Sequence, residues 1–179
     1  KVGPGHVRHL DYGAVNLGDY APDFGRRGVT PRLAALVELF TAAGLEAHAL
    51  DDLVLGRWQK LCWNIPYNGT SVVLDSTTDR MVADTVLRPL FRALMDEVAA
   101  GAAAYGRTIP PVFLDKMEAL TDKMTPYATS MMLDFQARRP MEVEAIYGEP
   151  LRLAAARGVR MPRVEALYRE LSFINAHLA

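Results

Sequence analysis

The sequence lacks most of the features that announce a chemistry on sight. Cys62 is its only cysteine in 179 residues, so neither an internal disulfide nor a Cys-rich zinc module is available. Neither charge is in excess. Twenty Lys and Arg stand against 21 Asp and Glu, a net charge of −1, and no long-range field steers this surface toward nucleic acid or anionic lipid. No apolar run approaches the roughly 18 residues of a membrane span, and no signal peptide opens the chain. Neither G-x-x-x-x-G-K-[ST] nor G-x-S-x-G occurs, which removes the common phosphate loop and the nucleophile elbow. Gly3-Pro4-Gly5 only begins a dinucleotide fingerprint, because Arg8 stands where the third glycine belongs. His6 and His9, three apart on a strand, face opposite ways, so no metal site is expected. The expectation is a soluble, cytoplasmic protein with no metal, no membrane and no nucleic-acid partner. It begins at Lys1, as a processed chain or a piece of a longer one would.

What is present is a real core: 50% of the residues are apolar and 23% charged, enough for one or two ordinary domains. The first thirty residues are glycine-rich and alternate in short stretches, His6 to Leu10 and Ala14 to Leu17, which reads as two strands joined near Asp11-Tyr12-Gly13. Tyr20 to Val29 reads as an exposed loop. Thr30-Pro31 then opens a helix, with Leu33, Leu36, Val37 and Phe40 on one face and Gly44 as its stop. Leu45 to Leu50 is a third strand. The opening is therefore ββαβ, too small to bury both faces of a sheet.

From Asp51 the pattern is helical. Asp51-Asp52 caps a helix to about Asn64, where Pro66 kinks or ends it, and a short helix follows at Tyr67 to Leu74. Further helices are expected at about 84–105, 111–123, 126–138, Pro140 to Arg157, and Pro162 to near His177, with Pro126, Pro140 and Pro162 in first-turn positions.

Two segments stand out. Between Arg57 and Asn68, Trp58, Leu61, Cys62 and Ile65 share one helical face, while Lys60 and Asn64 share another that Asn68 would continue past Pro66. That row is either a solvated face or a polar site. Asparagine is a poor helix-interior residue, and two of them without a capping role need a reason. Between Ser130 and Glu144, Glu142 sits in the first turn of a helix whose apolar face is Val143, Ile146, Tyr147 and Ala154. A first-turn carboxylate complements the helix dipole, and Arg138-Arg139 reads as a solvated pair, so periodicity alone gives Glu142 no further role. The eight methionines read as core filler. Asn68-Gly69-Thr70 matches the glycosylation triplet, which the expected compartment leaves unused.

Taken together the two segments resemble the ketopantoate reductase (2-dehydropantoate 2-reductase) family, specifically its C-terminal helical domain. The resemblance is carried by Trp58-x-Lys60-Leu61-x-x-Asn64-x-x-x-Asn68, Ser130-Met131-x-x-Asp134, Arg139-x-x-Glu142-Val143-x-x-x-x-Gly148 and Gly158-x-x-x-Pro162. It implies a mainly α fold, a bundle similar to the C-terminal domain of 6-phosphogluconate dehydrogenase, over residues 51–179. Residues 1–50 are then a β-rich remnant of a Rossmann domain. It also implies an NADPH-dependent oxidoreductase of a small 2-oxo acid, most simply 2-dehydropantoate in pantothenate biosynthesis. Lys60 corresponds to the general acid and Glu142 to the carboxylate that takes the substrate's hydroxyl end. Asn64, Asn68 and Ser130 correspond to polar groups around substrate and nicotinamide. NADPH belongs to the full-length parent, and this chain alone, without the nucleotide half, is expected to be inactive. Such a lysine needs its pKa lowered by burial or a cationic neighbour. Met141 and Tyr147 replace the small or polar residues expected beside the substrate, which keeps a paralogue for another keto acid, or an opine-type substrate, open. A helical dimerisation or binding module without catalysis is the alternative of a different class, and a homodimer fits both.

Overall fold

The computed structural model describes residues 3–6, 13–124, 126 and 128–178. Two compact units divide at Gly56/Arg57.

In the first unit, strand β1 (Val15–Gly18) is followed by helix α1 (Pro31–Ala42) and strand β2 (Ala47–Leu50). Thr30 caps α1, its hydroxyl accepting the Leu33 amide at 3.2 Å with Pro31 behind it, and Gly44 takes the left-handed φ of 81° that ends it. β1 and β2 pair in parallel, Val15 opposite Ala47 and Gly18 opposite Leu50. That corrects the order of events at the N-terminus: the strand at 14–17 pairs forward across the helix to β2. The first expected strand, His6 to Leu10, lies outside the described residues after His6.

The second unit is helical. Helix α2 (Leu53–Asn64) starts on Asp52, whose carboxylate accepts the Leu55 amide at 3.0 Å. It does not stop at Pro66. The chain passes through a five-residue π turn, Ile65–Gly69, into helix α3 (Thr70–Val73), then helix α4 (Thr78–Ala83). Helix α5 (Arg88–Ala103) begins later than the periodicity suggests because Asp84 closes a turn of its own, accepting the amides of Val86 and Leu87 at 2.7 and 3.1 Å. Helix α6 (Pro111–Thr121) agrees with expectation. Helix α7 (Ser130–Gln136) opens at Ser130 and not at Pro126, since Thr129 takes the cap by accepting the Met132 amide at 3.2 Å. The expected Pro140–Arg157 helix starts only at Val143, then runs through a second π turn, Glu144–Gly148, into helix α8 (Glu149–Ala155). Helix α9 (Pro162–Ala176) closes the fold.

The core gathers around α5, whose buried face is Phe91, Leu94, Met95, Val98 and Ala102 at helical spacing. Trp58 from α2 lies against Gly101, where a Cβ would come within 2.8 Å of the indole, so glycine is what lets ring and helix meet. Met81, Met95, Met131, Met132 and Met161 are all buried, as core filler should be.

One buried carboxylate ties α5 to α9. Glu97 accepts the amides of Arg163 and Val164 at 3.0 and 3.1 Å and the Arg163 guanidinium at 3.0 Å, so it supplies the cap that Met161 does not. Replacing it, Glu97→Ala, is expected to lose about 2 kcal/mol in urea unfolding, since charged hydrogen bonds contribute roughly 1.5–3 kcal/mol. A loss within experimental error would show that the cap carries no weight.

Candidate functional site

The singled-out residues divide by position. Lys60 is exposed on α2 and Asn64, one turn on, is half-buried. Asn68 lies within the first π turn at 2% exposure. Burial thus deepens along the row to Asn68. Its Oδ1 is buried without a hydrogen-bond partner among the described residues. This burial also closes Asn68 to glycosylation. Ser130 is exposed at the start of α7, and Glu142 is exposed immediately before the helix that begins at Val143.

Glu142 is at the cap rather than in the first turn, since its carbonyl accepts the Ile146 amide at 3.1 Å. Its neighbours hold it there. Asp134 pairs with Arg139 at 2.6 Å and accepts the Arg139 amide on its carbonyl at 2.8 Å, closing the loop between α7 and Glu142. Arg139 is therefore a loop clasp and not half of a solvated pair. On the other side the Asn175 side chain of α9 accepts the Met141 amide at 2.8 Å. A cavity of about 430 Å³ opens beside Glu142, lined also by Met141, Val143, Ser172 and Asn175. Lys60 does not line it.

What gathers these segments is the first π turn. Ser71 donates to the Asn68 carbonyl at 2.7 Å and is hydrogen-bonded to Thr129 at 2.8 Å, which fixes the start of α7, and hence Ser130, against Asn68. Tyr147, from the second π turn, donates to the Ile65 carbonyl at 2.9 Å, and a Cβ at position 69 would lie 2.5 Å from its oxygen. An unbroken α-helix would join that carbonyl to the Gly69 amide, so the hydroxyl takes up an acceptor of the helix. Tyr147 is completely buried and its hydroxyl is held protonated far above the ordinary tyrosine range by that burial. It does not line the cavity by Glu142. Met141, in contrast, does line that cavity. The sequence reading passed over Ser71, Thr129 and Asn175, and set Tyr147 beside the substrate; only Thr129, as a capping residue before an apolar run, carried a local signal.

Residues 52–175 match the family described as ketopantoate reductase PanE/ApbA, C terminal. The chain belongs to the ketopantoate reductase family. It is 49% identical over 175 residues to a 2-dehydropantoate 2-reductase of Nostoc sp., covering 98% of this chain and 55% of that one. A 2-dehydropantoate 2-reductase of Mesorhizobium japonicum is 30% identical over 164 residues, 92% of this chain and 48% of that one. The solved 2-dehydropantoate 2-reductase of Methylococcus capsulatus superposes with a TM-score of 0.90 at 33% identity, over all of this chain and 56% of that one. A D-mandelate dehydrogenase solved with NADH and anilino(oxo)acetate superposes with a TM-score of 0.85 over 96% of this chain and 70% of that one. At 22% identity it shares the fold alone. The chain spans about half the length of the curated ketopantoate reductases it matches. The mainly α architecture expected of this family's C-terminal domain is the one observed. Among the described residues no cluster suited to a metal ion occurs and no helix is long and apolar enough to cross a membrane.

Burial marks the helix that carries Lys60 in another way. It pushes the Cys62 thiol up from an ordinary 9.0 to about 12, with Asp96 adding to the rise, and the Tyr67 hydroxyl from 10.0 to about 12. The unfolded chain ionises both groups first. The stability they provide is whole below pH 9 and is lost as the pH climbs toward 12. Urea midpoints should therefore fall between pH 9 and 11; a flat profile over that window would contradict the burial argument.

Proposed function

We propose that this chain is the substrate half of an NADPH-dependent 2-oxo acid reductase, with 2-dehydropantoate as the keto acid. The observation that carries the reading is the convergence on one π turn. Asn68 lies within it, the start of α7 with Ser130 is bonded to it through Ser71 and Thr129, and the helix behind Glu142 is bonded to it through Tyr147. Residues from three separate stretches, all of them in the resemblance motifs or beside them, are thereby held in fixed relation.

In this reading the Lys60 ammonium donates a hydrogen bond to the ketone oxygen and delivers its proton there, so that the oxygen never carries a full negative charge. A cation is the right group for a developing alkoxide. The neutral amides of Asn64 and Asn68 hold the substrate without competing as proton donors, and the unpartnered Asn68 Oδ1 fits a donor on the bound molecule. Ser130 adds a hydroxyl beside it. Glu142, an acceptor when ionised, takes the substrate's hydroxyl end at the cavity it lines. Since Lys60 is exposed on this chain, the water around its amine is displaced by the substrate and the nucleotide half.

The nicotinamide supplies the hydride when bound. Among the described residues nothing cradles the nucleotide's phosphates: Gly3 and Gly5 belong to a small turn closed by the Gly3–His6 bridge. The cradle lies in the rest of the Rossmann domain. Support comes from the first unit: β1 and β2 form a parallel pair, and parallel sheets are found covered on both faces. Here Leu39, Leu45, Val29 and Tyr20 are exposed beside it, as the end of a larger sheet would leave them.

The test is kinetic and uses the full-length parent. Lys60→Ala should lower kcat about 10²–10⁴-fold, the range for a general acid. Glu142→Gln should act mainly on the KM of the keto acid. Near-normal turnover in both variants, with NADPH and 2-dehydropantoate supplied, would return the chain to a helical binding module.

A further inference from the structure

We propose that Tyr147 is a positioning residue for the keto acid: its hydroxyl, wedged into the helix between Gly69 and Ile65, sets the direction in which Asn68 presents its amide. The inference rests on the reading of Asn68 as a residue that faces the substrate.

Three independent features meet at that hydroxyl. It donates to the Ile65 carbonyl at 2.9 Å, taking the acceptor that a helical hydrogen bond from the Gly69 amide would use, and it stands 3.5 Å from the Asn64 carbonyl. A side chain inserted in this way widens the turn, and the five residues it widens are Ile65–Gly69, with Asn68 among them. The place is also shaped for an oxygen. A Cβ at position 69 would lie 2.5 Å from the Tyr147 hydroxyl, with the ends of Leu171 and Leu167 at 2.8 and 2.9 Å. Glycine at 69 is what leaves room for the oxygen. Finally, Pro66 has no amide to give to the Cys62 carbonyl, so the helix is short of one bond where it enters the wide turn.

The consequence is directional. Without the hydroxyl, the Gly69 amide can close directly on the Ile65 carbonyl and the wide turn contracts to an α-helical one. A contracted turn advances more degrees per residue, so Asn68 rotates away from the row it shares with Lys60 and Asn64. The aromatic ring of Tyr147 is not what does this. It fills the core whether or not it carries an oxygen, and that separates a positioning role from a packing role.

Steady-state kinetics of Tyr147→Phe, Asn68→Ala and the double variant in the full-length parent make the test, with the thermal midpoint of each recorded. Tyr147→Phe is expected to raise the keto-acid KM about tenfold, with kcat and the nucleotide KM within twofold of the parent. The double variant should be no worse in KM than Asn68→Ala alone, since both changes remove one contact. A Tyr147→Phe protein with a lowered thermal midpoint and an unchanged KM overturns the inference, because packing alone would do that. If Asn68→Ala raises KM and Tyr147→Phe does not, the inference fails while the reading of Asn68 stands. If Asn68→Ala leaves KM unchanged, that underlying reading fails first. Gly69→Ala drives the same oxygen out of the break from the opposite side. It serves where Tyr147→Phe does not accumulate folded, with the same tenfold rise expected and an unchanged KM counting equally against.

Discussion

The second unit depends on a backbone bond that is not made. In an α-helix the amide of Gly69 and the carbonyl of Ile65 would belong to each other; here that carbonyl accepts the Tyr147 hydroxyl at 2.9 Å. The five-residue turn around it is where α5, α7 and α9 all pack, and their packing fixes it in return. The exchange works only because residue 69 has no side chain. Sequence therefore reaches structure at this point through three residues acting together: Pro66 withholds a donor, Gly69 makes space and Tyr147 fills it.

Around that turn the motif residues find physical roles that are not themselves chemical. Asp134 and Arg139 clasp the loop before Glu142, and Asn175 holds the same loop from α9. Ser71 and Thr129 fasten α7, while Gly148 belongs to the second π turn. A family signature of this sort includes groups that hold the fold in register beside the candidate ligand groups. Lys60, Ser130 and Glu142 are exposed; Tyr147, Ser71 and Thr129 are wholly enclosed.

The helices were legible where the code is local. Thr30-Pro31, Asp52, Gly44 and Gly106 mark their ends by capping chemistry that acts over three or four residues, and the apolar face of α5 follows from spacing. What the sequence could not show depends on residues far apart. Pro66 reads as a helix stop because nothing nearby says that an oxygen from position 147 will repair the break. Tyr147 reads as a bulky intrusion beside a substrate because periodicity cannot tell a buried helical face from one lining a cleft. Pro126 and Pro140 suit first turns as well as Pro162 does, and only the competing side chains of Thr129 and the Asp134–Arg139 loop settle which prolines take them. The candidate residues themselves came from the resemblance, since nothing in spacing lifts an exposed lysine or carboxylate above its neighbours.

The cap on α9 has a bearing on how the chain acquires its shape. Met161 offers that helix no side-chain acceptor, and the one it uses comes from Glu97, 66 residues earlier. A helix whose first turn must wait for a distant group has no local nucleus, so its formation is tied to closing a long loop. During synthesis the earlier partner leaves the ribosome first, and α5 with its carboxylate is in place when Pro162 emerges. The C-terminal helix is thus assigned to the late steps of folding, and the vectorial order of translation works in its favour.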